Sequence, residues 1–171
     1  MTESSADEPT VAAIHIAPGS RLPMKSVDQV NAEAGRGLVG DRYHGSRHRH
    51  VSIQSATALA AASELLGNPI EAKATRRNIT ITSGDVPLDP GSRISIGDVE
   101  LEVVRVAAPC KMLDDEIGPG AKRALRRRAG SICRIVSGGT IGLGDPVMFH
   151  HDEAESEKPN NADGDPRPPI T

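Results

Sequence analysis

Aromatic residues are nearly missing from this 171-residue chain: Tyr43 and Phe149 stand alone, and there is no tryptophan. Single-stranded nucleic acids are held largely by stacking bases on aromatic rings, so that kind of binding platform is excluded. A chain of this length supports one real core, which must then be packed from Val, Ile, Leu and Ala. Cysteine is as scarce. Cys110 and Cys133 lie in dissimilar contexts and form no C-x-x-C, which argues against a disulfide framework and makes a reducing cytoplasm the expected location. No apolar run is long enough to span a bilayer. The first eight residues include Glu3, Asp7 and Glu8, unlike the basic start of a signal peptide. No membrane association is expected.

Charge is present but unevenly placed. The chain carries −3 overall; residues 1–9 hold −3 and residues 151–171 hold −4, which leaves +4 on residues 10–150. A mildly basic folded part suits an anionic ligand such as a phosphate. Both ends lack periodicity, and the stretch after His150 is rich in Pro, Asp, Glu and Asn. They read as a disordered N-terminal tail, 1–9, and a disordered acidic tail, 151–171, around one domain, 10–150.

Between the tails the pattern is mostly of strands. Thr10 to Ala17 and His50 to Gln54 read as strands, and Asn78 to Thr82 alternates cleanly. Ala56 to Leu66 reads as a helix, with Ser55 as N-cap and Gly67 as its stop. Arg93–Ile96 and Val99–Val103 flank Gly97-Asp98 as a hairpin, and a change of face at Val103-Val104 predicts a bulge. Short helices are expected over Lys111–Glu116 and Ala121–Ala129, the second closed by Gly130 and read as a solvated basic surface. Ser131 to Val136 reads as a strand, followed by a turn at Ser137-Gly138-Gly139 and a last strand over Pro146–Phe149. Many short strands with few helices predict a mainly β fold, a closed or partly closed barrel.

Cys110 follows Pro109, where a strand must end because proline cannot donate to a ladder. A helix start and Lys111 beside it would lower the thiol pKa, the setting in which a thiolate ligand or nucleophile is built. Cys133 shares a strand face with Ile135 and reads as core. The loop Gly37-Leu38-Val39-Gly40-Asp41-Arg42-Tyr43-His44-Gly45 offers backbone N–H groups and Arg42 to an anion, or equally a turn with a local Asp41–Arg42 network. It is no P-loop, since no G-K-[ST] follows. Arg76-Arg77-Asn78 at a strand entry makes a candidate phosphate clamp, or a solvated loop. His44, His48 and His50 lie among Arg42, Arg47 and Arg49, cations that oppose a divalent metal, so no zinc is expected there.

Taken in order, Gly37–Tyr43, Arg76-Arg77-Asn78-Ile79, Pro109-Cys110 and Ser137–Val147 resemble a MOSC domain, the family named for the C-terminal domain of molybdenum cofactor sulfurase. The resemblance covers about Val11 to Phe149 and implies a MOSC-type β-barrel with a few short peripheral helices. It implies binding of the molybdenum–pterin cofactor, or carriage of sulfur, through Cys110. Cys110 would be the metal ligand and catalytic residue, with Arg42, Arg76, Arg77 and Asn78 holding the cofactor's phosphate and pterin. The activity implied is reduction of an N-hydroxylated or N-oxide small-molecule substrate. The alternatives are a sulfur carrier with a persulfide on Cys110 and a non-catalytic binding module. The chain has no room for a pyridoxal-phosphate domain, and no flavin or iron–sulfur motif. Sulfur or electrons would come from a separate cysteine desulfurase or electron-donor reductase.

Overall fold

In the computed structural model the described residues are 8–19, 22–109 and 112–150. Residues 1–7, 20–21, Cys110, Lys111 and the acidic tail 151–171 lie outside them. The elements run β1 Val11–Ile16, β2 Lys25–Val27, β3 Gln29–Glu33, β4 Gly37–Leu38, β5 Val51–Ser55, α1 Ala56–Leu66, a 3₁₀ turn Ala72–Thr75 and β6 Ile79–Ile81. There follow β7 Arg93–Ile96, β8 Val99–Val106, α2 Met112–Glu116, α3 Ala121–Ala124, β9 Ser131–Ser137, β10 Gly139–Gly142 and β11 Val147–His150.

The fold is mainly β, as the strand pattern predicts. Eight strands form one sheet in the order β11-β7-β8-β9-β5-β6-β1-β2, and β10-β3-β4 form a second. Only β5 and β6 pair in parallel, and a parallel pair needs a crossover, which α1 and the 3₁₀ turn supply. α1 begins and ends where its caps require. Ser55 accepts from the Ala58 N–H at 3.1 Å, and Gly67 takes φ 85° while donating to the Ser63 carbonyl. The β7–β8 hairpin has the expected turn, and the ladder to β9 slips between Val103 and Arg105, where the bulge was expected.

Two expectations need correction. The sheet does not close into a barrel. At the seam between β1 and β11 the only bridge is Thr10 to Pro146. Three backbone bonds surround it: Val11 N–H to Asp145 O, Gly144 N–H to Val11 O and Val147 N–H to Pro9 O. Pro9 and Pro146 have no N–H to extend the ladder, so a stitch forms where a barrel would have a continuous strand pair. The basic helix is also shorter than its run of residues: α3 ends at Ala124, and Arg127 turns to φ 60°. Three consecutive arginines gain nothing from a helix when no acid stands three or four residues away, and the chain must turn here into β9. The strands β2 to β4 and β10 have no counterpart in the sequence reading.

Two apolar clusters hold the fold. The larger is Val- and Ile-rich, with Ile14, Ile53, Ile79, Ile94, Leu101, Cys133 and Ile135 among its members; the smaller joins α1 to α3 and Leu113. Aliphatic side chains thus do the packing that aromatics do elsewhere. Cys133 is fully buried, and burial pushes its thiol up to about 12, which leaves it no nucleophile. His50 is buried, accepting from the Ile135 N–H at Nδ1 and donating from Nε2 to Ser46 O. Burial lowers the pKa of both His50 and His15 from the ordinary 6.5. Unfolding returns both to that value, so below it the unfolded chain binds protons that the folded chain does not. Stability is therefore complete above pH ~6.5 and falls as the pH drops from there toward the lowered native values. Thermal melting between pH 7.5 and 5.5 should show a falling midpoint on the acid side; a flat midpoint would contradict neutral burial of these rings.

Candidate functional site

The strongest concentration of charge lines a cavity of about 300 Å³ beside the end of β8. Arg42, Arg49, Arg76, Arg77 and Arg105 all contribute to its wall, with Tyr43 and Thr75, and no carboxylate does. They come from separate segments: the loop after β4, the approach to β5, the link from the 3₁₀ turn to β6, and the bulged end of β8.

Asp41 places the first of them. It is buried, and its Oδ1 accepts from the Ala17 N–H at 2.9 Å and from Asn78 Nδ2 at 3.2 Å, while Oδ2 accepts from the Tyr43 N–H at 3.1 Å. Arg42 N–H is bound to Ala17 O at 2.7 Å. This closes the glycine-rich loop as an Asx-type turn and sets Arg42 and Tyr43 on the cavity wall. The Arg42 and Arg49 guanidiniums both stand over the Tyr43 ring, 4.5 and 4.3 Å from its centroid, a cation–π arrangement that fixes all three.

The two adjacent arginines have different surroundings. Arg77 is buried, and donates from Nε to Ala129 O at 3.1 Å and from Nη2 to Ala108 O at 3.4 Å. It braces the end of β8 against the entry to β9. Arg76 closes the 3₁₀ turn at φ 63°, an unusual conformation for a non-glycine residue. Its Nη2 is buried with no hydrogen-bond partner among the described residues. A buried donor left unpaired is costly, and an anion in the cavity is the natural acceptor. Arg49 points the same way. Burial lowers its pKa first, with like charge on Arg105 and Arg42 adding to this and Tyr43 and Asp41 opposing it. A bound anion would relieve that repulsion.

Asn78 does not line the cavity. Its Oδ1 accepts from Ser52 N and Oγ, and its Nδ2 donates to His15 O and Asp41. It stands behind the Arg42 loop and holds Asp41. Cys110 is outside the described residues, but Ala107 and Ala108 before it and Leu113 after it all line the cavity. His44 pairs with Glu33 at 2.8 Å, away from His50. Among the described residues no group of His, Cys, Asp or Glu has the arrangement of a metal site, and no helix is long and apolar enough to cross a membrane.

Sequence reading found Arg42, Arg76 and Arg77, and offered Asp41 as part of a local turn with Arg42, but it did not find Arg49, Arg105 or Tyr43. Arg49 was visible only as one of the cations crowding the histidines. Arg105 reaches the wall because of the bulge, which alternation alone does not orient.

Residues 40–148 match the family model described as the MOSC domain. No curated protein matches the chain. Similar solved structures include YuaD from Bacillus subtilis, 20% identical with TM-score 0.75, covering 85% of this chain and 97% of that one. YiiM from Geobacillus stearothermophilus is 17% identical with TM-score 0.64, covering 84% and 75%. YiiM from Escherichia coli is 15% identical with TM-score 0.61, covering 83% and 70%. At these identities what is shared is the fold.

Proposed function

The chain belongs to the MOSC domain family, and on that premise we propose that it binds the molybdenum–pterin cofactor, with Cys110 as thiolate ligand and the arginine cavity as the seat of the phosphate. The observation that carries this is the five-arginine wall with no carboxylate, flanked by Ala108 and Leu113 on either side of Cys110. The donor set fits such a group. Arg76 has a buried N–H without an acceptor, guanidiniums bind phosphate oxygens through a fork of donors, and a soft thiolate suits molybdenum. The volume, about 300 Å³, is at the small end for enclosed ligands.

In this reading Arg42, Arg49 and Arg76 hold the phosphate. Arg77 holds the chain on both sides of the cavity through Ala108 and Ala129, and Asn78 acts through Asp41 on the position of Arg42. The aliphatic wall of Ala107, Leu113 and Ile132 keeps water from the ligand and strengthens each charged contact. When bound, the cofactor would supply two-electron oxygen-atom transfer, suited to reducing N-hydroxylated or N-oxide compounds, with electrons from a separate reductase.

Metal analysis of protein made in a host that synthesises the cofactor tests this, wild type beside Cys110→Ala. Near-stoichiometric molybdenum in the wild type, lost in the variant, is the expected result. Its absence from both would overturn the reading and turn attention to a persulfide on Cys110, the mark of a sulfur carrier supplied by a desulfurase.

A further inference from the structure

Arg105 has no part in the roles assigned above, and its place in the cavity wall is built by an irregularity. Along the β8–β9 ladder Glu102 opposes Arg134 and Val103 opposes Cys133, but Arg105, not Val104, opposes Ile132. Residues directly opposite one another in a ladder share a face of the sheet. Ile132 lines the cavity, so the extra residue puts an arginine where regular pairing would put Val104. A bulge re-aims a side chain in this way, and bulges are over-represented beside active sites.

Its surroundings differ from those of the other four arginines. Arg77 is buried, Arg42, Arg49 and Arg76 are half-buried, and Arg105 is exposed, so it stands at the mouth. Arg42 and Arg49 stack on Tyr43, and Arg77 donates to backbone carbonyls. No carboxylate among the described residues pairs with Arg105; those that form ion pairs are Glu33, Glu100 and Glu102, with His44, Arg93 and Arg134. Arg105 is close enough to Arg49 for their like charges to repel. Charge balance agrees with an open place. Five guanidiniums line the cavity, a phosphate monoester brings about −2 at neutral pH, and about +3 remains. A second anion fits that excess, and Ala107, Leu113 and Ile132 in the same wall offer apolar surface to the organic body that carries it.

We propose that Arg105 selects the substrate of this cavity, holding a carboxylate on the N-hydroxylated or N-oxide compound while the inner arginines hold the cofactor's phosphate. This rests on the cofactor reading and adds to it a substrate class: an organic acid rather than a neutral compound. A guanidinium takes a carboxylate through two parallel N–H donors, which fixes orientation as well as affinity. Because Arg105 is exposed, its grip on the acid weakens as salt is added.

Amide spectra of the full chain, made in a host that lacks the cofactor, test this with inorganic phosphate and benzoate as probes. With phosphate at saturation, benzoate should shift residues 104–108 and 132, and Arg105→Gln should weaken that response about tenfold or more. The phosphate shifts at residues 42–49 and 76 should persist in the variant, whose exposed substitution should leave the spectrum as dispersed as that of wild type. Benzoate that only displaces phosphate, or that binds Arg105→Gln equally well, would overturn the proposal. So would shifts centred on the exposed arginines 123, 126 and 127, the mark of an anion held by any basic surface. Pyrophosphate binding roughly tenfold tighter than phosphate, with the gain lost in Arg105→Gln, would assign Arg105 to a second phosphate of one ligand and overturn the substrate class. Failure of phosphate itself to bind would count against the cofactor reading instead, and benzoate shifts that Arg105→Gln abolishes would still support the acid site.

Discussion

Gly130→Ala should abolish the folded protein, while Gly67→Ala should cost only about 1–2 kcal/mol. The two glycines have nearly the same backbone conformation, φ 88° and φ 85°, so the strain of placing a side chain there is common to both. They differ in space. A Cβ on Gly67 meets nothing within 4 Å, whereas one on Gly130 would stand 1.8 Å from Ile53 O and 2.9 Å from Gln54 Cα. Those are backbone atoms of β5, the strand against which β9 pairs at Ile53 and Ser131. No rotamer change relieves them; β5 and β9 would have to part. Gly130 O also accepts the Ala107 N–H at 2.9 Å, so the same displacement reaches the cavity wall. The expected cost exceeds about 4 kcal/mol, most of the stability of a domain this size. Denaturant unfolding of the two variants side by side measures the difference. Equal and small losses would mean the strands part at little cost.

Asp41→Ala should have the next largest effect, and it should act on binding as well as stability. The substitution leaves the buried Ala17 N–H, the Tyr43 N–H and Asn78 Nδ2 without an acceptor, a loss of about 3–5 kcal/mol. It also frees the loop that sets Arg42 and Tyr43 on the cavity wall. Because Tyr43 is the only tyrosine and there is no tryptophan, tyrosine emission reports this one ring directly. Titrating wild type with inorganic phosphate should change that emission. Asp41→Asn, which keeps the shape of the side chain and folds more readily, should weaken the phosphate response by about tenfold or more, equivalent to ~1.4 kcal/mol. Unchanged phosphate affinity in a folded Asp41→Asn protein would show that the loop holds its place without the carboxylate.

The same contrast between local and long-range cause separates what could be read along the chain from what could not. α1 was legible because its signals are within reach of one another: an N-cap serine, a run of Ala and Leu, a glycine that takes φ 85°. So was the β7–β8 hairpin, where alternation on each side of Gly97-Asp98 leaves one register. The strands β3, β4 and β10 were not: β4 has only two residues, and β3 and β10, of five and four, pair across more than a hundred positions, Asn31 with Thr140 for instance. Barrel closure likewise depended on the meeting of Thr10 with Pro146, a contact between distant residues that proline then limits.

At the site the division is clearer still. The motifs sufficed for the family, for Arg42, and for the pairing of Arg76 with Arg77 as residues of interest. Their division of labour came only from the tertiary structure: Ala108 and Ala129 carbonyls engage Arg77, a left-handed turn leaves Arg76 with an unpaired buried N–H, and Ser52 with His15 and Asp41 occupies the Asn78 amide. Arg49 and Arg105 join them from positions with no motif. A sequence determines which side chains are available and the short-range turns that present them. Which of them share one cavity is decided by sheet register and bulges, because those set where residues far apart in the chain come to lie.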